Sequence, residues 1–339
     1  MQEEVCPCLF RLSINFIILL EMKISKYLFA GLVLLISCEK GEIAVPAHDS
    51  GDVLENSVAM EQDYRNQLFF DLETNSVVSS NLKTDWDIAF ESSPTGFHVT
   101  LNTSKGMAVH CSELDFVDIT SADDLVWTWD AHSGNLDSTG VGNWLEEEKL
   151  YVVDRGYNYV GSHLGYAKLK FVSVNESTYE IQFASIEESI PLTSTITKSL
   201  ECHMTYYSFE SGLATIAPPD FEWDLMFTQY THLFSDPISS YVVSGVLLNR
   251  HETSAIIISD KNFQEVKFED VADLDLKTEL NSIGYKWKWY DFDAGLYLVN
   301  SDICYIIRTS SGFYYKLRFL DFYNESGEKG YPRFEFQQL

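Results

Sequence analysis

Thr84-Asp85-Trp86-Asp87-Ile88-Ala89-Phe90 decides the reading of the chain, because it returns as Phe221-Glu222-Trp223-Asp224-Leu225-Met226-Phe227, with the tryptophans 137 residues apart. The segments before the two copies match as well. Phe69-Phe70-Asp71-Leu72-Glu73 precedes the first and Tyr206-Tyr207-Ser208-Phe209-Glu210 the second, again 137 residues on. Further along, Leu150-Tyr151-Val152-Val153 answers to Leu296-Tyr297-Leu298-Val299, and Tyr166 to Phe171 answers to Tyr314 to Phe319. Asn175-Glu176-Ser177 answers to Asn324-Glu325-Ser326, and these later offsets are 146, 148 and 149. Ordered blocks with small insertions between them are what a tandem copy with altered loops leaves behind. Two homologous domains are expected, 63–196 and 197–339.

Within each half the dominant period is two. Tyr166, Lys168 and Lys170 alternate with Ala167, Leu169 and Phe171, and Tyr179, Ile181 and Phe183 alternate with Glu180, Gln182 and Ala184. Such alternation marks half-buried strands, with Asn175-Glu176-Ser177 as the hairpin turn between them. Tyr241 to Leu248 and Ala255 to Ser259 are denser apolar runs, suited to strands covered on both faces. Helical spacing is scarce, and its best instance is Leu276, Leu280 and Ile283 within 268–283. The class is therefore mainly β: two tandem antiparallel β domains of related topology, with few short helices.

The first forty residues read as an address. Lys23 and Lys26 precede an unbroken apolar run, Tyr27 to Ile36, too short to span a bilayer, and Leu35-Ile36-Ser37-Cys38 has the form of a lipobox. This predicts a signal peptide over 1–37, with 1–21 lying ahead of the start at Met22 that the signal implies. Cys38 would be the lipidated residue, and 38–62 a polar tether holding the protein to a membrane.

Composition narrows the function. The 339 residues carry 23 Lys and Arg against 51 Asp and Glu, a net charge of -28, which excludes the phosphate contacts of a nucleic-acid binder. Cys111, Cys202 and Cys304 are too few and too widely spaced for a disulfide framework or a structural zinc site, and buried free thiols are expected. No nucleophile elbow, phosphate loop or dinucleotide glycine pattern occurs, so no catalytic residues are assigned and the protein is read as not an enzyme. Arg250-His251-Glu252 lacks the second histidine of a zinc-protease helix, and Asp291-x-Asp293-x-Gly295 reads as a turn. No metal site is assigned. The repeated Trp-Asp pairs are read as buried anchors whose carboxylates accept nearby backbone amides.

Several of these blocks resemble one family. Ile283-Gly284-Tyr285-Lys286-Trp287-Lys288-Trp289-Tyr290, Tyr305 to Thr309, Tyr315 to Phe319 and Gly327 to Phe334 are similar to the C-terminal signature of the HmuY family of haem-binding outer-membrane lipoproteins. Trp86 to Phe90, Val99 to Asn102 and Gly106 to Val109 resemble its N-terminal signature. The resemblance implies an all-β fold, haem as ligand held between two axial side chains on loops, and a role in iron or haem acquisition. It also implies an outer-membrane location, periplasmic or surface-exposed, with host haem-proteins and a TonB-dependent receptor as partners. His132, in the loop Asp130-Ala131-His132-Ser133-Gly134, is the nearest analogue of the first axial histidine, with His110 and Met107 as rivals. At the place of the family's second axial histidine this chain has Asp291-Phe292-Asp293-Ala294 in one half and Glu146-Glu147-Glu148 in the other. The alternative is a surface lipoprotein that uses the duplicated fold for another ligand or as an assembly subunit without haem. In that case Trp127, Trp129, Trp287 and Trp289 would line a groove between the domains.

Overall fold

Alternating side chains along an extended backbone bury one face of each strand, and pairing then settles which strands share a sheet. The computed structural model describes residues 50–146, 149–236 and 238–339, so the expected signal peptide and Cys38 lie outside the described residues. The chain opens with β1 (Val53–Ser57), β2 (Asn66–Asp71), β3 (Ser76–Leu82), β4 (Ile88–Glu91), β5 (Val99–Leu101) and β6 (Ala108–Ser112). After a long loop come β7 (Leu150–Asp154), β8 (Tyr166–Val174), β9 (Thr178–Ser185) and β10 (Leu192–Thr197). The second half begins β11 (Met204–Ser208), β12 (Gly212–Ala214), β13 (Leu225–Ser235), β14 (Ile238–Leu248) and β15 (Ser254–Ile258). It closes with β16 (Lys288–Asp291), β17 (Leu296–Val299), β18 (Cys304–Arg308), β19 (Tyr314–Tyr323) and β20 (Lys329–Gln338).

Four antiparallel sheets pack as two sandwiches. In the first, the sheet β10-β9-β8-β7-β6 faces the sheet β12-β11-β4-β5. Ile88, Phe90 and Tyr207 from one meet Leu169, Tyr179 and Ile181 from the other. In the second, β1-β20-β19-β18-β15 faces β14-β13-β2-β3. Its core sets Phe70, Leu225 and Phe227 against Leu317, Phe319 and Phe334. A further apolar cluster of Phe69, Trp86, Ala89, Ile216, Ala217 and Trp223 draws on strands and loops flanking the inner sheets of both sandwiches. The protein is thus all-β in its described residues, where helix is confined to 3-10 turns of three or four residues.

The two outer sheets have the same plan. β10, β9, β8, β7 and β6 stand in the order of β1, β20, β19, β18 and β15. The inner sheets differ from the sequence expectation in one respect: each is shared. β2, with β3 on its other side, comes from the first half and pairs with β13, while β11, with β12 on its other side, comes from the second half and pairs with β4. The halves 63–196 and 197–339 are therefore not separate bodies, because each lends its first hairpin to the other's sandwich. Alternation identifies a strand and its buried face but not its neighbour, and so it could not reveal the exchange.

Three local expectations also change. Val53–Ser57, inside the expected tether, is the edge strand β1, paired with β20 from Val53–Gln337 to Ser57–Arg333. Its side chains are mostly exposed, so it carries no apolar period, and the backbone ladder alone fixes it. The helical spacing in 268–283 yields only a 3-10 turn at Phe268–Val271, and the remainder is loop tied down by bridges at Lys277 and Gly284. In the sheets, the counterpart of β7 is β18, Cys304–Arg308; Leu296–Val299 instead forms the separate two-stranded sheet β16-β17. The hairpin turns after β8 and β19 fall where the sequence places them.

Candidate functional site

The repeated Trp-Asp pairs lie just ahead of β4 and β13, with both tryptophans in one apolar cluster. The Trp86 ring meets Tyr206 edge-on at 5.0 Å, and Trp223 meets Phe69 edge-on at 4.9 Å, equivalent partners exchanged between the halves. Asp87 accepts the Phe209 N–H at 2.8 Å, and Asp224 accepts the Leu72 N–H at 3.0 Å. Asn102 donates its side-chain amide to the Trp86 carbonyl at 2.9 Å, and Asn249 to that of Trp223 at 3.0 Å. These are the buried anchors expected, with the acceptor bond reaching into the other half.

The two aspartates differ in electrostatics. Asp87 faces Lys105 Nζ at 2.5 Å and Arg155 Nε at 3.3 Å. Burial alone would raise its carboxyl, but Lys105, Arg155 and the Phe209 N–H more than offset that and hold it below the usual value. Asp224 has Thr253 Oγ1 as a donor at 3.2 Å and no ion pair among the described residues. Burial pushes its carboxyl up to about 7, and the neighbouring Asp71 and Glu73 add to the rise.

Between the inner sheets lies a cavity of about 150 Å³. Beside it lies a more open pocket of about 340 Å³, here called its mouth, that shares His132 and Tyr230 with it. The loop carrying His132 is anchored by Asp130, buried, which accepts the N–H groups of Leu101 and Gly140, both at 2.7 Å. The Leu280 N–H bonds the Ser133 carbonyl at 2.8 Å and fixes the other side of the loop. His132 then lies against His232 of β13, ring centres 4.1 Å apart and planes at 37°. Its Nδ1 accepts the Leu233 N–H at 3.3 Å, which leaves the hydrogen on Nε2 in the neutral ring. Burial lowers the pKa of both imidazoles, and Lys286 lowers both further. His232 Nδ1 is buried without a partner among the described residues, and Tyr285 and Phe234 meet its ring edge-on.

The other sequence candidates lie elsewhere. Met107 fills the core of the first sandwich, 1% exposed. His110, on β6, gives Nδ1 to a contact with the Val126 carbonyl at 2.9 Å. The four tryptophans expected to line a groove do not converge. Trp127 stacks on Tyr166 in the cluster outside β7, and Trp287 is buried on Phe319 in the core of the second sandwich. Trp289 is half exposed on β16, and Trp129 lines neither the cavity nor its mouth. A tryptophan's size predicts burial but not which core receives it. Of the thiols, Cys304 is buried, Cys202 half-buried and Cys111 exposed, so the expectation of burial fails at Cys111. Asp291 makes the expected turn, accepting from the N–H groups of Asp293 and Ala294 at 2.9 and 3.0 Å. His232 was missed because nothing in Phe227-Thr228-Gln229-Tyr230-Thr231-His232 separates it from any histidine near a strand end. No group of three or more His, Cys, Asp or Glu among the described residues can hold a metal ion. No helix among them is long and apolar enough to cross a membrane.

Fold and site together define an all-β protein of two sandwiches with shared inner sheets and a histidine-lined cleft between them. The model of the HmuY protein family matches residues 63–336, and the chain belongs to that family. Among solved structures, apo PinO from Porphyromonas gingivitis is similar at 9% identity over 85% of this chain and 97% of its own, with a TM-score of 0.29. The apo HmuY analog (TFO) of Tannerella forsythia is similar at 10% identity over 86% of this chain and 98% of its own, with a TM-score of 0.24. A candidate HmuY-like haem-binding protein from Bacteroides vulgatus shares 13% identity over 84% and 90% of the two chains, with a TM-score of 0.23. No curated protein matches. The family assignment rests on the family model.

Proposed function

We propose that this protein is a non-enzymatic lipoprotein of the cell envelope that takes haem, or a related flat ligand, at the mouth of the cleft for iron or haem acquisition. One observation carries the reading: two imidazoles of lowered pKa, one from each sandwich, meet at that mouth. Haem iron accepts neutral imidazole nitrogens axially while its porphyrin buries against aromatic and aliphatic side chains. Tyr285, Ile256 and Ile257 line the mouth, and Lys286 beside them is a cation suited to a ligand carboxylate. The donor chemistry fits; the ring placement needs one adjustment. A metal between two imidazoles stands about 2 Å from a nitrogen of each, whereas these rings touch directly, centres 4.1 Å apart and planes tilted at 37°. Turning His132 away breaks its one bond to the Leu233 N–H. The rival reading, a carrier or assembly subunit without haem, draws on that same direct ring contact.

Titrating the purified protein with haemin tests the choice. A Soret band with the signature of two axial histidines is expected, weakened about tenfold or more in His132→Ala and in His232→Ala. If the wild-type spectrum is unchanged at micromolar haemin, the haem reading is to be dropped.

A further inference from the structure

Six buried side-chain nitrogen or oxygen atoms among the described residues have no hydrogen-bond partner, and three of them, on Trp223, Tyr230 and Arg250, belong to residues lining the 150 Å³ cavity. The indole and guanidinium nitrogens can only donate, and the Tyr230 hydroxyl can donate as well. A buried donor left unpaired costs about 1–3 kcal/mol, and more when charged. Such groups gathered around one cavity call for an acceptor that completes them.

The repeat supplies an internal control. Trp86 Nε1 donates to Gln67 Oε1 at 2.9 Å. The residue 137 positions after Gln67 is Met204, and the strand registers agree, since Leu68 pairs with Phe227 as Thr205 pairs with Phe90. A thioether accepts only weakly, so Trp223, 8% exposed, has no counterpart to that bond. Arg250 follows Asn249, whose side-chain amide is tied to the Trp223 carbonyl, so the loop that carries the guanidinium is pinned to the same tryptophan. Among the described residues Arg250 has no salt bridge to a carboxylate. The rest of the lining mixes apolar side chains, Phe69, Ile216, Met226 and Leu248 among them, with polar ones such as Asn102, Thr228 and Gln229 and the carboxylates Asp130 and Asp220, both of which already accept N–H groups.

We propose that this cavity binds a small monocarboxylic acid with one ring or a short chain, of the benzoate class. Arg250 and the Trp223 indole N–H would hold the carboxylate, and the apolar walls would hold the body. A cavity of about 150 Å³ is large enough for a benzene ring, and a guanidinium is suited to a carboxylate. The proposed carboxylate contacts use neither His132 nor His232, although His132 lines the same cavity, and benzoate binding is read separately from haemin binding.

The test titrates the full chain with sodium benzoate and, separately, with benzyl alcohol, a probe of the same size without charge. The indole N–H resonance of Trp223 and tryptophan fluorescence report binding. Benzoate is expected to shift that resonance and to bind about tenfold or more tighter than benzyl alcohol. Arg250→Gln is expected to remove most of that preference. Met204→Gln, which gives Trp223 the partner that Trp86 has, is expected to weaken benzoate several-fold. Equal affinity for the two probes overturns the proposal, and that comparison needs no variant to fold. So does a Trp223 resonance unmoved at about 10 mM benzoate, the outcome if the cavity holds only water.

Discussion

Asp87→Asn and Asp224→Asn are the same change at equivalent places in the repeat, and the structure requires different outcomes. Asp87→Asn leaves the Lys105 ammonium, 2% exposed, with an amide in place of its carboxylate partner. Breaking a buried pair from one side costs about 3–5 kcal/mol. Asp224 has no ion pair among the described residues, and its carboxyl, raised from 3.8 to about 7, is disfavoured in its charged form by the fold. A rise of about three units at about 1.4 kcal/mol each amounts to about 4 kcal/mol against the folded state once the group is ionised. A carboxyl raised by folding supports stability fully below its unfolded value, and that support is lost as pH climbs through about 7. Asparagine does not titrate and removes the loss. Asp87 has the opposite sign: being lowered, its contribution is present above the ordinary carboxylate value and disappears only in acid. In urea unfolding followed by tryptophan fluorescence at pH 8, Asp87→Asn is expected to be destabilised by several kcal/mol. Asp224→Asn should equal or exceed wild type there, and its advantage should shrink toward pH 5. Equal losses for the two variants at pH 8, or an unchanged pH dependence in Asp224→Asn, would refute this reasoning.

Trp287→Ala should cost about 3–5 kcal/mol, because the indole is 1% exposed and stacked on Phe319 at 4.0 Å; chemical denaturation reads the loss. Gly156→Ala should lower the melting temperature, since its φ is +67° and an added Cβ would stand 2.1 Å from the Lys105 carbonyl oxygen. Deleting residues 50–57 removes β1 and leaves β20 as an open edge, so sedimentation should show self-association that rises with concentration. Cys38→Ala should abolish labelling with a radioactive fatty acid and move the protein from the membrane to the soluble fraction; a variant that stays labelled would exclude Cys38 as the acylated residue.

What could be read from the sequence follows from what each signal encodes. Alternation at Tyr179, Ile181 and Phe183 marked a buried strand face, and all three side chains are buried. The Trp-Asp pairs declared themselves by recurring, and both are buried anchors. β1 was illegible because its side chains face solvent and its backbone does the binding. The exchange of hairpins was illegible because β2 would look the same whether it paired with a strand of its own half or with β13. The site was half legible. The loop from Asp130 to Gly134 drew notice for its histidine, but His232 acquires its significance only when β13 brings it to that loop.

The exchanged hairpins also set an order of assembly. A chain made from its N-terminus has β2 and β3 in hand early, yet their partner β13 begins only at Leu225, after the whole of the first outer sheet. The ribbon from Asn66 to Leu82 can close on itself as a hairpin, but it must wait for its neighbour β13 while more than a hundred later residues are added. The exchange also means that neither half, expressed alone, contains a complete sandwich.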